Sequence, residues 1–371
     1  MTHKRNNSLD LMRIVCMLMI VSLHFFNHGG LINHTLAPNT PNWYVGNLCY
    51  ALCYVCVNCM VLLTGYFQCT SRFKLRRFGS IWLQAFFYSV AMCLAVSAIT
   101  GDFSLAAVIK SGMVMTMKQY WYVTAYLLLY AISPFLNCAI RAMGKRMHLL
   151  CCCVLLGLFS LLHNLVYISD FGNILGGSSF LWFCVLYIVA AYIRLHVPVD
   201  IRHRWKAFAG YFLCAGLIAL ERFLAYWITP VIFGHVVMDS LFFSYNSILT
   251  AAASIFLFLG MRTLDIRTPR LNRAIEILAP LTFGVYLIHD HPSVRPLLWQ
   301  LTNPAATAVS IWMVPYALMC VTGIFLCCCG MEWLRQQVFR LLGIDTLVKR
   351  CCDRIQELGS QWLTEDNSQV P

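Results

Sequence analysis

Charged side chains are scarce in this 371-residue chain: they make up 11% of it, and only 15 residues are acidic. Soluble domains carry about 25%, so a water-soluble globule is excluded. No P-loop, dinucleotide-type glycine pattern or internal repeat is present, and no soluble catalytic domain is attached to the apolar part. The first apolar run has no small-residue cleavage site, so it reads as a retained span and not a removed signal peptide. The 19 cysteines lack the paired Cys/His spacing of zinc sites. Most lie inside apolar runs, where cysteine packs as a small hydrophobe. Cys49, Cys53 and Cys56 share a helical face that a metal or redox site would also need, and Cys351-Cys352 are candidates for acyl chains.

What the chain has instead is hydrophobicity, at 60% of its residues. Apolar runs close to bilayer length lie near 9–27, 46–68, 79–99, 120–140, 148–168, 178–194, 207–229, 244–261, 278–292 and 308–329. The seventh, which contains Glu221-Arg222, and the ninth, short and ending in "HDHP", are the weakest. Basic residues alternate with these runs. Of the 27, all but Arg13, Lys110, Lys118, Arg222 and Arg295 fall in the termini and in every second connecting segment. The positive-inside rule then predicts an all-α protein of about ten transmembrane helices with both termini cytoplasmic. The net charge of +12 is thereby orientation charge with an affinity for anionic lipid, and nucleic acid is not an expected partner. Residues 1–330 read as one membrane domain. Residues 331–371 read as an amphipathic cytoplasmic tail whose end, "TEDNSQVP", is expected to be disordered.

Within "LMRIVCMLMIVSLHFF" (11–26), Arg13 and His24 stand eleven residues apart. In a helix that is roughly 20° past three full turns and about 16 Å along the axis. Asp10 and Met17 fall on the same stripe. Arg13 could snorkel to headgroups and His24 could be interfacial. Alternatively, the stripe lines a polar conduit entered from both ends.

The segment "RNNSLDLMRIVCMLMIVSLHFF" resembles the opening of the acyltransferase-3 family of integral membrane acyltransferases, with Leu9, Asp10, Arg13 and His24 at the positions of its "LDxLR" stretch and Arg-x10-His motif. "NCMVLLTGYFQCTSRFKLRRFGSIW" (58–82), "YWYVTAYLLLYAISPFLN" (120–137) and "LAPLTFGVYLIHDHP" (278–292) are similar to three further family segments, in family order. The basic loop departs from the usual Arg-x-x-Arg pair, offering Arg72, Lys74, Arg76 and Arg77.

The resemblance implies transfer of an acyl group, usually acetyl from acetyl-CoA, to a hydroxyl of a cell-surface or exported glycan in the cytoplasmic membrane of a bacterium. Partners would be membrane lipid, acyl-CoA and a glycan or glycolipid acceptor, with no metal. Roles follow from chemistry. Arg72, Lys74, Arg76 and Arg77 suit the donor's phosphates, since guanidinium forks bind phosphate bidentately. His24 suits the general base for the acceptor hydroxyl; an acyl-histidine is the covalent variant. Arg13 would grip the donor or line its path, with Asp10 as its local partner. Too far along the axis to touch His24, these two complete the catalytic set only at a distance. His289 is a secondary candidate, against a plain surface histidine at a helix end. The adjacent residues of "HDH" do not share a helical face, so they are not read as metal ligands. Trp121 and Tyr122, with Tyr126, offer a sugar-stacking platform or an aromatic belt. Glu221 and Arg222 could pair to offset their cost in lipid. A transporter or flippase for glycan or lipid intermediates would also need a polar path, but none of the repeats or broken helices typical of transporters is evident. A non-catalytic partner in polysaccharide assembly would use the same scaffold.

The orientation is open to direct test. A reporter fused after residue 371 should report cytoplasm and one in the 28–45 loop the outside; finding both on one side would overturn the topology.

Overall fold

The structure, a computed structural model, describes residues 6–117, 119–166 and 175–367. Among them it contains helices and no strand: α1 (Asn7–Asn27), α2 (Pro41–Cys53), α3 (Cys56–Gln68), α4 (Leu75–Thr100), α5 (Leu105–Gly112), α6 (Trp121–Ala142), α7 (Lys145–Leu156), α8 (Leu162–Val166), α9 (Phe180–His196), α10 (Arg204–Phe233), α11 (Ile248–Met261), α12 (Pro269–Leu278), α13 (Thr282–His289), α14 (Val294–Thr302), α15 (Met313–Leu341) and α16 (Ile344–Asn367). The chain is an all-α polytopic membrane protein. Eight helical stretches are long and apolar enough to cross a bilayer, and α9 and α11 are shorter apolar helices. Lys4, Arg5 and Lys118, and residues 368–371 of the tail end, lie outside the described residues.

The helix lengths depart from the sequence reading in an informative way. The weak seventh and ninth runs become the 33-residue stretch Ile201–Phe233 and the 21-residue stretch Pro269–His289, whereas the sixth and eighth become the short α9 and α11. At 1.5 Å per residue, helices of 17 and 14 residues reach about 25 and 21 Å, less than the roughly 30 Å of a hydrocarbon core. The shortfall is made up by non-helical chain that dips among the helices. Its carbonyls are taken up by side-chain amides: buried Asn58 donates to Tyr245 O at 2.7 Å and half-buried Asn164 to Leu241 O at 2.8 Å. Irregular backbone is tolerated at such depth only when protein satisfies it. Gly177, at φ +86, makes this possible, because a Cβ there would stand 2.6 Å from Asn246 N.

Two motif residues find their reasons here. In α6, Pro134 cannot donate to the carbonyl of Tyr130, and the Ser133 hydroxyl does so instead at 2.8 Å. The Tyr130 hydroxyl in turn accepts from Lys74 N at 3.0 Å, which sets the basic 69–74 loop level with the middle of α6. In α3, Gly65 lets the α9 backbone approach, since a Cβ would meet Ala190 Cβ at 2.8 Å and Tyr187 Cα at 2.9 Å. The tail boundary near 330 is not a break: α15 runs through it to Leu341, and α16 continues through 364–367.

Gly65→Ala should therefore lower stability by about 1–3 kcal/mol, the usual cost of overpacking. Thermal unfolding in detergent, followed by fluorescence-detected size exclusion, reads this. An unchanged midpoint would mean that α3 and α9 are not in backbone contact.

Candidate active site

The site is built on α1. Asn6 caps the helix by accepting from Leu9 N at 3.3 Å. One turn on, buried Asp10 pairs with Arg13, whose guanidinium lies over the Phe67 ring at 5.5 Å. Arg13 opens into a cavity of about 360 Å³ that Arg77 also lines, between walls that include Met60, Tyr122 and Phe283. Arg77 Nη2 donates to the Tyr126 hydroxyl at 3.0 Å and Nη1 to Gln68 Oε1 at 3.3 Å. Two forks thus face one cavity without a carboxylate from Arg77's surroundings to neutralise it.

The other members of the basic cluster lie elsewhere. Lys74 and Arg76 line a separate cleft with Asp353, Gln356 and Glu357 of α16, and exposed Arg72 lines neither. The ninth span contributes to the wall of the larger cavity. Ala279-Pro280-Leu281 forms a single tight turn between α12 and α13, and Ala279 and Pro280 line the cavity wall.

A second, narrower cavity of about 50 Å³ shares Met60, Tyr122 and Phe283 with the first. It is lined by Met17, Trp121 and Tyr245, and His24 stands in its wall. Trp121 and Tyr122 therefore face the interior of the bundle. Trp121 stacks on Tyr245 with centroids 6.0 Å apart, and Tyr122 packs against Tyr286 at 5.8 Å.

His24 is held by a chain of hydrogen bonds whose direction can be deduced. His289 is buried, with Nδ1 2.6 Å from Val285 O. A carbonyl only accepts, so His289 Nδ1 carries the proton and, in the neutral ring, Nε2 is an acceptor. That Nε2 lies 3.0 Å from His24 Nδ1. His24 Nδ1 must then be the donor, which leaves the lone pair of neutral His24 on Nε2. The surface placement considered for His289 is replaced by a buried one, against His24.

Three residues that sequence reasoning did not select complete the surroundings. The Asp290 carboxylate lies 3.6 Å from His24 Nδ1 and is itself paired with Arg295 at 3.0 Å. The His28 ring lies 4.8 Å from that of His24. Nitrogen and oxygen atoms of His24, His28 and Asp290 all come within 4.8 Å of one another, a two-His, one-carboxylate set that could hold a cation. Arg295 beside Asp290 opposes a second positive charge there. His291 is a bracket: its Nε2 donates to Ser89 O at 3.0 Å and its Nδ1 accepts from Ser293 N at 3.1 Å. The only signals for Asp290 and Arg295 were the isolated acid inside "HDHP" and a basic residue outside the alternating set.

The chain is thus a helical membrane bundle with a basic-lined cavity next to a narrower one that has a hydrogen-bonded histidine in its wall. The model of the acyltransferase domain family matches residues 6–332, and the chain belongs to that acyltransferase family. No curated protein and no solved structure matches it.

His289 touches His24 and lines neither cavity, so the effect of its hydrogen bond is to be read through His24. His289→Leu should lower acyl transfer by a factor within the roughly 10²–10⁴ that a general base supplies. His289→Gln, whose amide oxygen can accept from His24 Nδ1, should recover part of it. Equal rates for the two variants would show that the hydrogen bond does not matter.

Proposed function

We propose that this acyltransferase moves an acyl group, usually acetyl, from cytoplasmic acyl-CoA to a hydroxyl of a cell-surface or exported glycan, in the cell membrane, with His24 as general base. The observation that carries the reading is the pair of neighbouring cavities that share Met60, Tyr122 and Phe283 in their walls, with Arg13 and Arg77 in the wider one and His24 in the narrower. Arg13 and Arg77 take the donor's phosphates with their forks. Met60, Tyr122 and Phe283 flank the passage for its apolar arm. The narrow cavity admits a small acyl group and leaves no room for a glycan, which favours a transferase over a transporter.

On this reading His24 Nε2 takes the proton of the acceptor hydroxyl as its oxygen attacks the thioester carbonyl. The new C–O ester bond forms, the C–S bond breaks, and the departing thiolate leaves with the electron pair. His24 Nε2 then returns its proton to that sulfur. While His24 is an imidazolium, its Nδ1–H remains bonded to His289 Nε2, and the Asp290 carboxylate 3.6 Å away favours the charge. Asp10 orients Arg13, and Trp121 and Tyr122 shape the acyl end of the passage.

The deciding measurement is transfer from labelled acetyl-CoA to isolated glycan by purified protein in nanodiscs. His24→Gln should retain acetyl-CoA binding and lose about 10²- to 10⁴-fold in rate. Arg77→Glu should raise KM for acetyl-CoA more than Lys74→Glu or Arg76→Glu. Wild-type rates for His24→Gln would overturn the mechanism; equal KM effects for the three charge reversals would overturn the donor site.

A further inference from the structure

Arg222 is the one basic residue in the middle of a long span that the proposed reaction does not use. It is 5% exposed, within α10. Its Nε donates to Asp239 O at 2.7 Å, its Nη1 to Asn47 Oδ1 at 2.9 Å, and its guanidinium lies 4.1 Å from the centre of the Phe243 ring. Every one of these partners is uncharged. The expected pairing with Glu221 is not made: that carboxylate accepts from Leu241 N at 3.4 Å. Among the described residues, no carboxylate oxygen lies within 4.0 Å of the Arg222 guanidinium. Glu221 and Asp239 place carboxylates in the neighbourhood, but neither forms an ion pair with the guanidinium, and a buried cation without a direct ion-pair partner is costly in a bundle interior. Two of its five N–H donors are occupied by these bonds.

Arg222 lines a cavity of about 140 Å³ with Trp43, Asn47 and Tyr226, and exposed His34 and Pro38 stand at its rim. By the same measure roughly 10–15 Å³ admits one water, so an anionic group with part of a sugar ring can enter. Trp43 and Tyr226, with centroids 4.9 Å apart, supply aromatic walls suited to a sugar. The rim residues 32–38 run on directly from the end of α1 that carries His24 and His28. Ring contacts continue inward from Phe243 to Tyr54 at 5.6 Å, Tyr54 to Tyr245 at 5.0 Å, and Tyr245 to Trp121 at 6.0 Å, ending in the wall of the His24 cavity.

We propose that the Arg222 cavity is a subsite for an oxyanion carried by the acceptor, a sugar carboxylate or sugar phosphate, whose charge completes the unpaired guanidinium. This rests on the glycan-acceptor reading and narrows it to acidic acceptors. Arg222 also anchors the chain at Asp239, so its removal has a structural cost that the test must separate.

Binding is measured calorimetrically on the full chain in nanodiscs, without acyl donor, for glucuronate, glucose 1-phosphate, glucose and inorganic phosphate. One of the two acidic sugars should bind about tenfold or more tightly than glucose, the gain of one charge-assisted hydrogen bond. Arg222→Gln should erase that preference. His34→Glu, which adds a negative charge at the exposed rim and leaves every Arg222 bond in place, should erase it too and decides the matter if Arg222→Gln does not fold. The proposal is overturned if glucose binds as well as both acidic sugars, or if the preference survives His34→Glu. Inorganic phosphate binding as tightly as glucose 1-phosphate would overturn the acceptor assignment in favour of a free-phosphate site. Acetyl-CoA binding to the same sample is the control: its absence would sink the donor reading and leave the oxyanion result standing.

Discussion

The hydrogen bond between His24 and His289 ties α1 to α13 inside an apolar bundle, and the geometry of the site depends on it. Each ring has one nitrogen committed by its neighbour, so the position of the free lone pair of neutral His24 is determined by a backbone carbonyl two links away, at Val285. That carbonyl is held in turn by how α13 is seated. Next to it, Gly284 packs directly on Glu332 of α15, where a Cβ would meet the Glu332 carboxylate at 2.6 Å. Glu332 is fully buried and satisfied by the Tyr88 hydroxyl, the Arg335 fork and the Gln336 amide. A buried ion pair of this kind adds little net stability but is costly to break by removing one partner. Its consequence here is placement: it seats the helix that orients His289.

The two faces of the bundle handle charge in different ways. On the basic face, Arg13 is paired with Asp10, whereas Arg77 has as partners a phenol, an amide and the Tyr130 ring, and among the described residues no carboxylate pairs with it. Its neighbours Lys74 and Arg76 face acidic side chains of α16 instead. At the other end of α1, Asp290 is countered by Arg295 and lies close to His24 and His28. Between the ends the lining of the narrow cavity is mostly apolar and aromatic. Arg222 stands apart from both arrangements as a buried cation whose partners are neutral.

Much of this was legible in residues 6–332. Apolar runs and alternating basic segments define a helical membrane protein because backbone in lipid must satisfy itself and because positive charge marks one face. The Asp10–Arg13 pairing follows from helical spacing alone, as does the separation of Arg13 from His24. The match of His24 to a family motif singled it out among 11 histidines. Helix lengths were less legible, since run length cannot reveal that the chain between Gly234 and Ser247 folds back among the helices and shortens α11.

What only the tertiary structure decided is which residues meet across sequence separations that no periodicity encodes. His24 and His289 are 265 residues apart, and their pairing converts a helix-end histidine into the group that sets a tautomer. Arg77 and not Arg76 faces the Arg13 cavity, because one step along a helix turns a side chain by about 100°. The Asp290 carboxylate joins His24 and His28 because α13 ends beside the end of α1. The sequence by itself determined class, orientation charge and the polar stripe of α1, since these depend on local pattern and on partition between water and lipid. The direction of each proton and the pairing of each buried charge depend on packing between distant segments, and those were decided in three dimensions.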